Sequence, residues 1–428
     1  MLRGFLLISF CSLLFAGKIL AQGNSVLWRI SGNNLTHPSY LYGTMHSSDP
    51  RVFHFADSVW ASFETCDAFA MEVVIDESVQ SSLLTNIFMS GNTTIRSLLT
   101  MAQYDSLQRF AIRNASINIS DFDRMKPLYV AMMLEMLAGG DSFVNSPDPF
   151  LDQFLAIAAG NQRKEVKGLE TAGEQMAVFD AMTYTDQAQL LMKTVRDYSS
   201  DTLEYERMVQ YYLSNDLTQM MEFENDMGIP DSLYETLITQ RNIRMARRID
   251  TMIELSSTFI AVGAGHLGGP GGLVNLLREK KYTVVPVLPS YNNYLRDGWY
   301  RFTSRRQGFT ADFPDIPSIT QDTTANGRKI QTYTSFLKSA NGKTDSFSVV
   351  CIHGTFDRIL LNQYLPVTKE NFRLSEETLT FTCDEKNGNK SQGKILKGKN
   401  ITYILENRYR KKPEYGDRFF QSFAILAE

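Results

Sequence analysis

The chain has 428 residues, with 43 lysines and arginines against 47 aspartates and glutamates, 43% hydrophobic residues, five histidines and four cysteines. These values exclude a disordered, collagen-like or disulfide-dense chain and a strongly basic nucleic-acid binder, and they allow two or three domains with ample core. Histidine and cysteine are so scarce that few residues can serve as soft metal ligands or nucleophile–base pairs.

At the N-terminus, Arg3 precedes an apolar stretch from Phe5 to Ala16, and Ile19-Leu20-Ala21 offers a cleavage site before Gln22. Residues 1–21 therefore read as a cleaved secretory signal peptide. The stretch is short for a membrane span and Lys18 interrupts it. The mature chain is expected to be periplasmic or secreted, with no transmembrane segment. Export permits a Cys351–Cys383 disulfide, with Cys66 left as a small buried apolar residue.

Strands are expected at Val26 to Ile30 and Ser39 to Gly43, then a helix at Ala56 to Glu64 and an apolar strand at Ala68 to Ile75. Helical patterns then run to about residue 255, broken by a short strand at Lys164 to Leu169. Met125, Met132, Met133 and Met136 fall at helical spacing there and read as core filling. Thr258 to Val262 is a strand, Pro270 to Lys280 a helix, and Tyr282 to Val287 a last strand that Pro286 confines to an edge. The uncharged stretch Phe259 to Leu277 is rich in glycine, so it is strand, turn and helix start rather than a membrane span.

From residue 291 onward 21 basic residues face 15 acidic ones, while the first 290 carry 22 basic and 32 acidic. The texture changes at the same place, from long helical patterns to short Thr-, Tyr- and Phe-rich runs. The expected fold is a mixed α/β sheet flanked by helices with a helical insertion, spanning residues 22–290. A smaller β-rich domain follows at 291–428.

Two histidines share one local setting. Tyr40-Leu41-Tyr42-Gly43-Thr44-Met45-His46 and Phe259-Ile260-Ala261-Val262-Gly263-Ala264-Gly265-His266 are both apolar strands running into Gly-x-x-His. Glycine permits a sharp turn at the strand end, and the next polar side chain then stands over the sheet edge where α/β proteins bind ligands. Glu72 lies in Ala68-Phe69-Ala70-Met71-Glu72-Val73-Val74-Ile75, where a carboxylate needs a cation, a metal or strong donors. Arg241 shares a helix face with Ile238, Met245, Ile249 and Met252 and needs an acidic partner, which Glu72 or Glu170 could supply. Thr171 and Glu174 form a capping box, which gives Glu174 a structural role and leaves Glu170 as a candidate. Gly263-Ala-Gly265-His-Leu-Gly268 matches G-x-G-x-x-G, but the next strand ends without the acidic residue that a dinucleotide site requires.

Several motifs in order resemble the TraB/GumN/PrgY family, which includes the Tiki-type metalloproteases. They are Leu27-Trp28-Arg29-Ile30, Ser39 to His46, Met71-Glu72, Met125-Lys126-Pro127 and Gly168-Leu169-Glu170-Thr171 with Glu174-Gln175. Arg241-Asn242 with Met245-Ala246, Val262 to Leu267, Gly271 to Val274 and Val284 to Val287 complete the set, over about residues 25 to 288. The resemblance implies a divalent-metal protease site with His46, Glu72 and His266 as metal ligands and Glu170 and Arg241 in support. The expected activity is that of an exported metal-dependent peptidase, in which the metal (Mn, Co or Zn) activates a water. A carboxylate left over is the general base, and Arg241 orients a carboxylate or steadies the oxyanion. The alternative is a non-catalytic envelope binding protein that holds a peptide or cofactor in the same cleft.

Overall fold

The computed structural model describes residues 25–426 except 48, 75–86, 139–149, 227–233, 324–326, 339–343, 355–368, 376–378, 386–387 and 411–414. The expected signal peptide lies outside the described residues.

Six strands build the first sheet: β1 (Leu27–Ser31), β2 (Ser39–Thr44), β3 (Ala68–Met71), β4 (Glu165–Gly168), β5 (Thr258–Gly263) and β6 (Thr283–Pro286). Their order is β4-β3-β5-β2-β1-β6. The first four in that order are mutually parallel, and β1 is antiparallel to both of its neighbours. The sheet is mixed, as expected, and Pro286 lies in the edge strand β6, where its missing N–H costs no ladder bond.

Side-chain alternation splits the central strands between two cores. Phe69, Phe259 and Ala261 pack on one face with Tyr42. There α1 (Asp57–Thr65) brings Trp60 and Phe63. Ala70, Ile260, Val262 and Leu41 face the other way, against Met245, Ile249, Leu273 and Leu277. Burial on both faces explains why these strands read as continuous apolar runs.

The helical insertion occupies the connection from β3 to β4 and continues to β5. It comprises α2 (Met101–Ala115), α3 (Pro127–Ala138), α4 (Leu151–Asn161), α5 (Ala172–Asp180), α6 (Tyr184–Leu213), α7 (Leu217–Asp226) and α8 (Gln240–Leu255). Leu107, Val130, Leu134 and Leu191 form its own core, with Met125 and Met133 packed against it. Met132 departs from the expected core role: it is 49% exposed, because it sits beside Met133 on the solvent side of α3. The Met136 side chain lies outside what is described.

Two boundaries differ from expectation in ways that matter for the site. The strand expected to reach Ile75 ends at Met71, so Glu72 stands at the sheet edge rather than inside the ladder. Ile75 itself lies outside the described residues. The helix expected from Pro270 starts only at Leu273, as α9 (Leu273–Glu279). At Gly272 the chain doubles back so closely that a Cβ there would lie 2.0 Å from the Gly268 carbonyl oxygen.

Beyond β6 the chain is β-rich. A three-stranded sheet contains β7 (Tyr300–Ser304), β8 (Phe309–Phe313) and the C-terminal β16 (Ala424–Ile425). A seven-stranded antiparallel sheet contains β9 (Ser318–Thr323), β10 (Lys329–Lys338), β11 (Thr344–His353), β12 (Lys369–Ser375), β13 (Thr380–Glu385), β14 (Lys390–Lys397) and β15 (Ile401–Tyr409). Its order is β12-β13-β14-β15-β11-β10-β9. Cys351 on β11 and Cys383 on β13 are buried and free. Two strands separate theirs, a gap of ~14 Å at ~4.8 Å per strand, which no disulfide spans. Cys66 is fully buried, as expected.

One core joins α1 to this region: Trp60 and Phe63 belong to the same buried cluster as Phe302, Tyr333 and Phe347. Glu64, at the end of α1, is buried and accepts hydrogen bonds from the hydroxyls of Ser304 and Tyr333. Burial raises its pKa, outweighing those two bonds.

Candidate active site at the sheet edge

The four parallel strands all end on one side, so the residues that follow them meet at a single edge. Along it, in the order β4-β3-β5-β2, come Glu170, Glu72, His266 and His46. The ladder extends past the strand ends to fix the two acids: Leu169 N–H donates to Met71 O at 2.8 Å and Glu170 N–H to Glu72 O at 2.7 Å.

Glu72 is held from three directions. Its Oε1 accepts from the Gly263 amide at 2.7 Å, and its Oε2 from Arg241 Nη2 at 2.5 Å and Gln175 Nε2 at 3.4 Å. A side chain at position 263 would crowd this carboxylate, since a Cβ there lies 3.3 Å from Oε1. The first amide of the G-x-G-x-x-G turn is thus committed to a carboxylate, not left open for a phosphate. Arg241, in the first turn of α8, also donates from Nε to Glu170 Oε2 at 2.8 Å. Arg244 donates to the other oxygen, Oε1, at 3.1 Å. The Glu170 side chain is 0% exposed, so both of its oxygens are spent on arginines.

Burial raises the Glu72 pKa, but His266, Arg241 and the Gly263 amide outweigh it and hold the carboxyl below its ordinary range. His266 is itself pushed down by burial, against the pull of Glu72. At neutral pH the edge therefore carries an ionised Glu72 beside a neutral His266.

The tautomer of His266 follows from its partner. Asn242 donates its amide N–H groups to the carbonyls of Gly271 at 2.9 Å and His266 at 3.3 Å. Its Oδ1 then faces His266 Nδ1 at 2.7 Å, so Nδ1 carries the proton. The lone pair on Nε2 looks toward Glu72 Oε1 at 3.8 Å. Two lone-pair atoms face each other with no proton between them, and the imidazole is oriented from behind as metal-bound histidines are.

The structure does not gather all three expected ligands. Glu72 and His266 are together, but the His46 side chain is 68% exposed, with Nδ1 3.5 Å from Asp152 Oδ2. The chain bends outward after β2: Ser47 N–H donates to Met45 O, and the Ser47 hydroxyl pairs with Tyr205 at 2.8 Å. Among the described residues, what meets His46 is the start of α4, through Asp152 and Phe150, and it supplies no second polar contact as Asn242 on α8 does for His266. Among the described residues, no group of three His, Cys, Asp or Glu side chains is gathered at metal-ligand spacing.

Asp152 and Asn242 were missing from the sequence-derived set. Asp152 lies in the first turn of α4, buried, with no hydrogen-bond partner for Oδ1 among the described residues. It follows a stretch with no motif, so only the fold connects it to His46. Asn242 directly follows Arg241, and its helical spacing with Met245, Ala246 and Ile249 was the available signal that it faces the apolar side of α8. Glu174 has the expected structural role: its carboxylate accepts from the Thr171 amide at 2.8 Å and from both Nη atoms of Arg248 at 2.8 Å. Of the remaining histidines, His54 stacks on Tyr294.

The sequence profile of the TraB/PrgY/gumN family matches residues 26–286. The chain is 24% identical to the metalloprotease TIKI2 of Danio rerio over 366 residues, covering 70% of each. It is 23% identical to the metalloprotease TIKI1 of Homo sapiens over 350 residues, covering 69% of this chain and 68% of the relative. The uncharacterized protein YbaP of Shigella flexneri is 24% identical over 267 residues, which is 60% of this chain and 95% of YbaP. No solved structure matches the chain. The matched span contains β1 to β6 and every residue of the edge just described, and on it the chain belongs to the TraB/PrgY/gumN family.

Proposed function

We propose that the protein is an exported metal-dependent hydrolase that cleaves peptide bonds at the edge where β3, β5 and β2 end. The observation that carries this reading is the pair His266 Nε2 and Glu72 Oε1, which face each other across 3.8 Å. Ligand bonds of about 2.0–2.2 Å to nitrogen and oxygen allow one divalent ion to bridge such a gap. A nitrogen and oxygen donor set without thiolate suits Mn, Co or Zn. His266 and Glu72 would hold the ion, and His46 would be the third ligand after leaving Asp152. The relatives named as metalloproteases support the same chemistry.

When bound, the ion supplies Lewis acidity and lets a water lose a proton near neutral pH. Asp152, once free of His46, would offer a carboxylate able to take up a proton at the site. Glu170 cannot take that role with both oxygens committed; it fixes Arg241, which in turn fixes Glu72. Arg241 is a positioning residue rather than an oxyanion donor: each of its three nitrogens is engaged, Nε by Glu170, Nη1 by the Leu237 carbonyl and Nη2 by Glu72.

The test is to incubate the full chain, loaded with Mn, Co or Zn, with a mixture of unstructured peptides and to read new termini by mass spectrometry. Cleavage that disappears with chelator and in Glu72→Gln supports the reading; intact peptides with every metal contradict it. A second reading, a peptide-binding protein without turnover, is favoured by the gathering of two rather than three ligands among the described residues. It predicts saturable peptide binding with no new termini. Among the described residues no helix is long and apolar enough to cross a membrane. Export itself is tested by N-terminal sequencing of the mature protein, with Gln22 expected first.

A further inference from the structure

At the opposite edge of the parallel strands lies a polar cavity of about 210 Å³, between the first sheet and the seven-stranded sheet. Asp67, just before β3, lines it, whereas Glu72 follows β3; five residues of extended chain put it ~16 Å from the candidate active site. Four cations line the cavity: Arg163, Lys164, Arg306 and Lys329. The acids nearby are fewer. Arg163 pairs with Asp322 at 2.9 Å, and Arg306 with Asp67 at 3.7 Å. Glu64, whose carbonyl accepts from Arg306, is held toward its neutral form by burial. Among the described residues that leaves Lys164, whose Nζ donates to the Cys66 carbonyl, and Lys329 without an acid at ion-pair distance.

Two buried amides point to a missing partner. Gln162, 4% exposed, has no hydrogen-bond partner for its Nε2 among the described residues, and Gln307, 2% exposed, has none for its Oε1. Both line the cavity. An unsatisfied buried donor or acceptor costs about 1–3 kcal/mol, so such groups usually serve a water or a ligand. The first is a donor and suits an oxyanion; the second is an acceptor and needs a hydroxyl or N–H. The cations act on their surroundings as well: burial, then Lys329 and Arg306, push the His353 pKa down. Burial lowers that of Lys164 to about 8. An anion in the cavity would relieve both.

We propose that this cavity is a second binding site, for a small hydroxylated dianion whose charge comes from a phosphate monoester or from paired carboxylates. Lys164, Lys329 and Arg306 take the charge, Gln162 donates to an anionic oxygen, and Gln307 accepts from a ligand hydroxyl. The site requires residues from both sides of the cavity, so its ligand also ties the seven-stranded sheet to the first one. Nothing in it depends on the chemistry proposed at the other edge.

The test is calorimetric titration of the full chain at low salt with glucose 6-phosphate and tartrate. Glucose and sulfate separate the hydroxyl from the charge. The expected result is saturable 1:1 binding of glucose 6-phosphate or tartrate, weaker binding of sulfate and none of glucose. Whichever anion binds identifies the source of the charge. Arg306→Gln and Lys329→Gln alter exposed side chains and should each weaken binding about tenfold. Raising the salt should weaken it further. The proposal is overturned if neither anion binds, or if both variants bind like the wild type. It is also overturned if His266→Ala abolishes binding while Arg306→Gln does not, since the anion would then occupy the other edge.

Discussion

The two Gly-x-x-His turns end adjacent parallel strands, paired at Thr44 and Gly263, and read alike in sequence. Their histidines differ completely. His266 is 5% exposed and locked by Asn242, whereas the His46 side chain is 68% exposed and meets a carboxylate at 3.5 Å. A strand-end glycine turn delivers a side chain to the sheet edge, but the element behind the turn decides whether it is fixed there. Behind His266 stands α8, which supplies Asn242 to the imidazole and Arg241 to Glu72. Behind His46, among the described residues, stands the start of α4, with Phe150 and Asp152. One turn is held rigidly from behind, and the other leaves its histidine open to solvent.

The comparison can be broken from the rigid side first. Arg241→Leu should cost about 3–5 kcal/mol of stability in denaturant unfolding, because it strips the cation from two buried carboxylates. A loss below about 1 kcal/mol would mean that the acids are neutral or solvated. Asn242→Leu should cost about 2 kcal/mol, since it leaves the carbonyls of His266 and Gly271 and the His266 Nδ1–H without their partner. The NMR signature of the His266 ring should change tautomer with it; an unchanged ring signal would remove Asn242 from its assigned role.

A smaller effect belongs to the capping box behind Glu170. Arg248 draws the Glu174 pKa down to about 2 against the opposing effect of burial, from the 4.5 of a free glutamate. A lowered folded-state pKa contributes stability that is complete above about pH 4.5 and is lost as the pH falls toward 2. Glu174→Gln should therefore cost about 0.5–1 kcal/mol at pH 7, and its difference from wild type should fade in unfolding curves taken toward pH 2. A difference that does not vary with pH would contradict the ion pair. Smallest of all, His46→Ala and Asp152→Asn should each change stability by less than about 0.5 kcal/mol. Both should still abolish peptide cleavage, and a full rate in either variant would remove the first turn from the mechanism.

Much of the edge was legible because buried parallel strands announce themselves as uniform apolar runs. Glu72 and Arg241 stood out as charges in apolar patterns, and the structure pairs them. The order of the strands was not legible, since adjacency of β2, β5 and β3 comes from connections of many helices. Nor was Asp152, which sits at the start of an ordinary helix and acquires its setting only when α4 packs under His46. The cavity at the other edge was invisible for the same reason: its residues come from six separate short stretches, none carrying a pattern.

The central claim is that Glu72 and His266 together hold a divalent ion. Metal analysis of the full chain after loading with Mn, Co or Zn and exhaustive dialysis tests it most directly. The account predicts one tightly held ion per wild-type chain and none in His266→Ala. A wild-type chain that retains no ion, or a His266→Ala chain that retains it as well, would contradict the account.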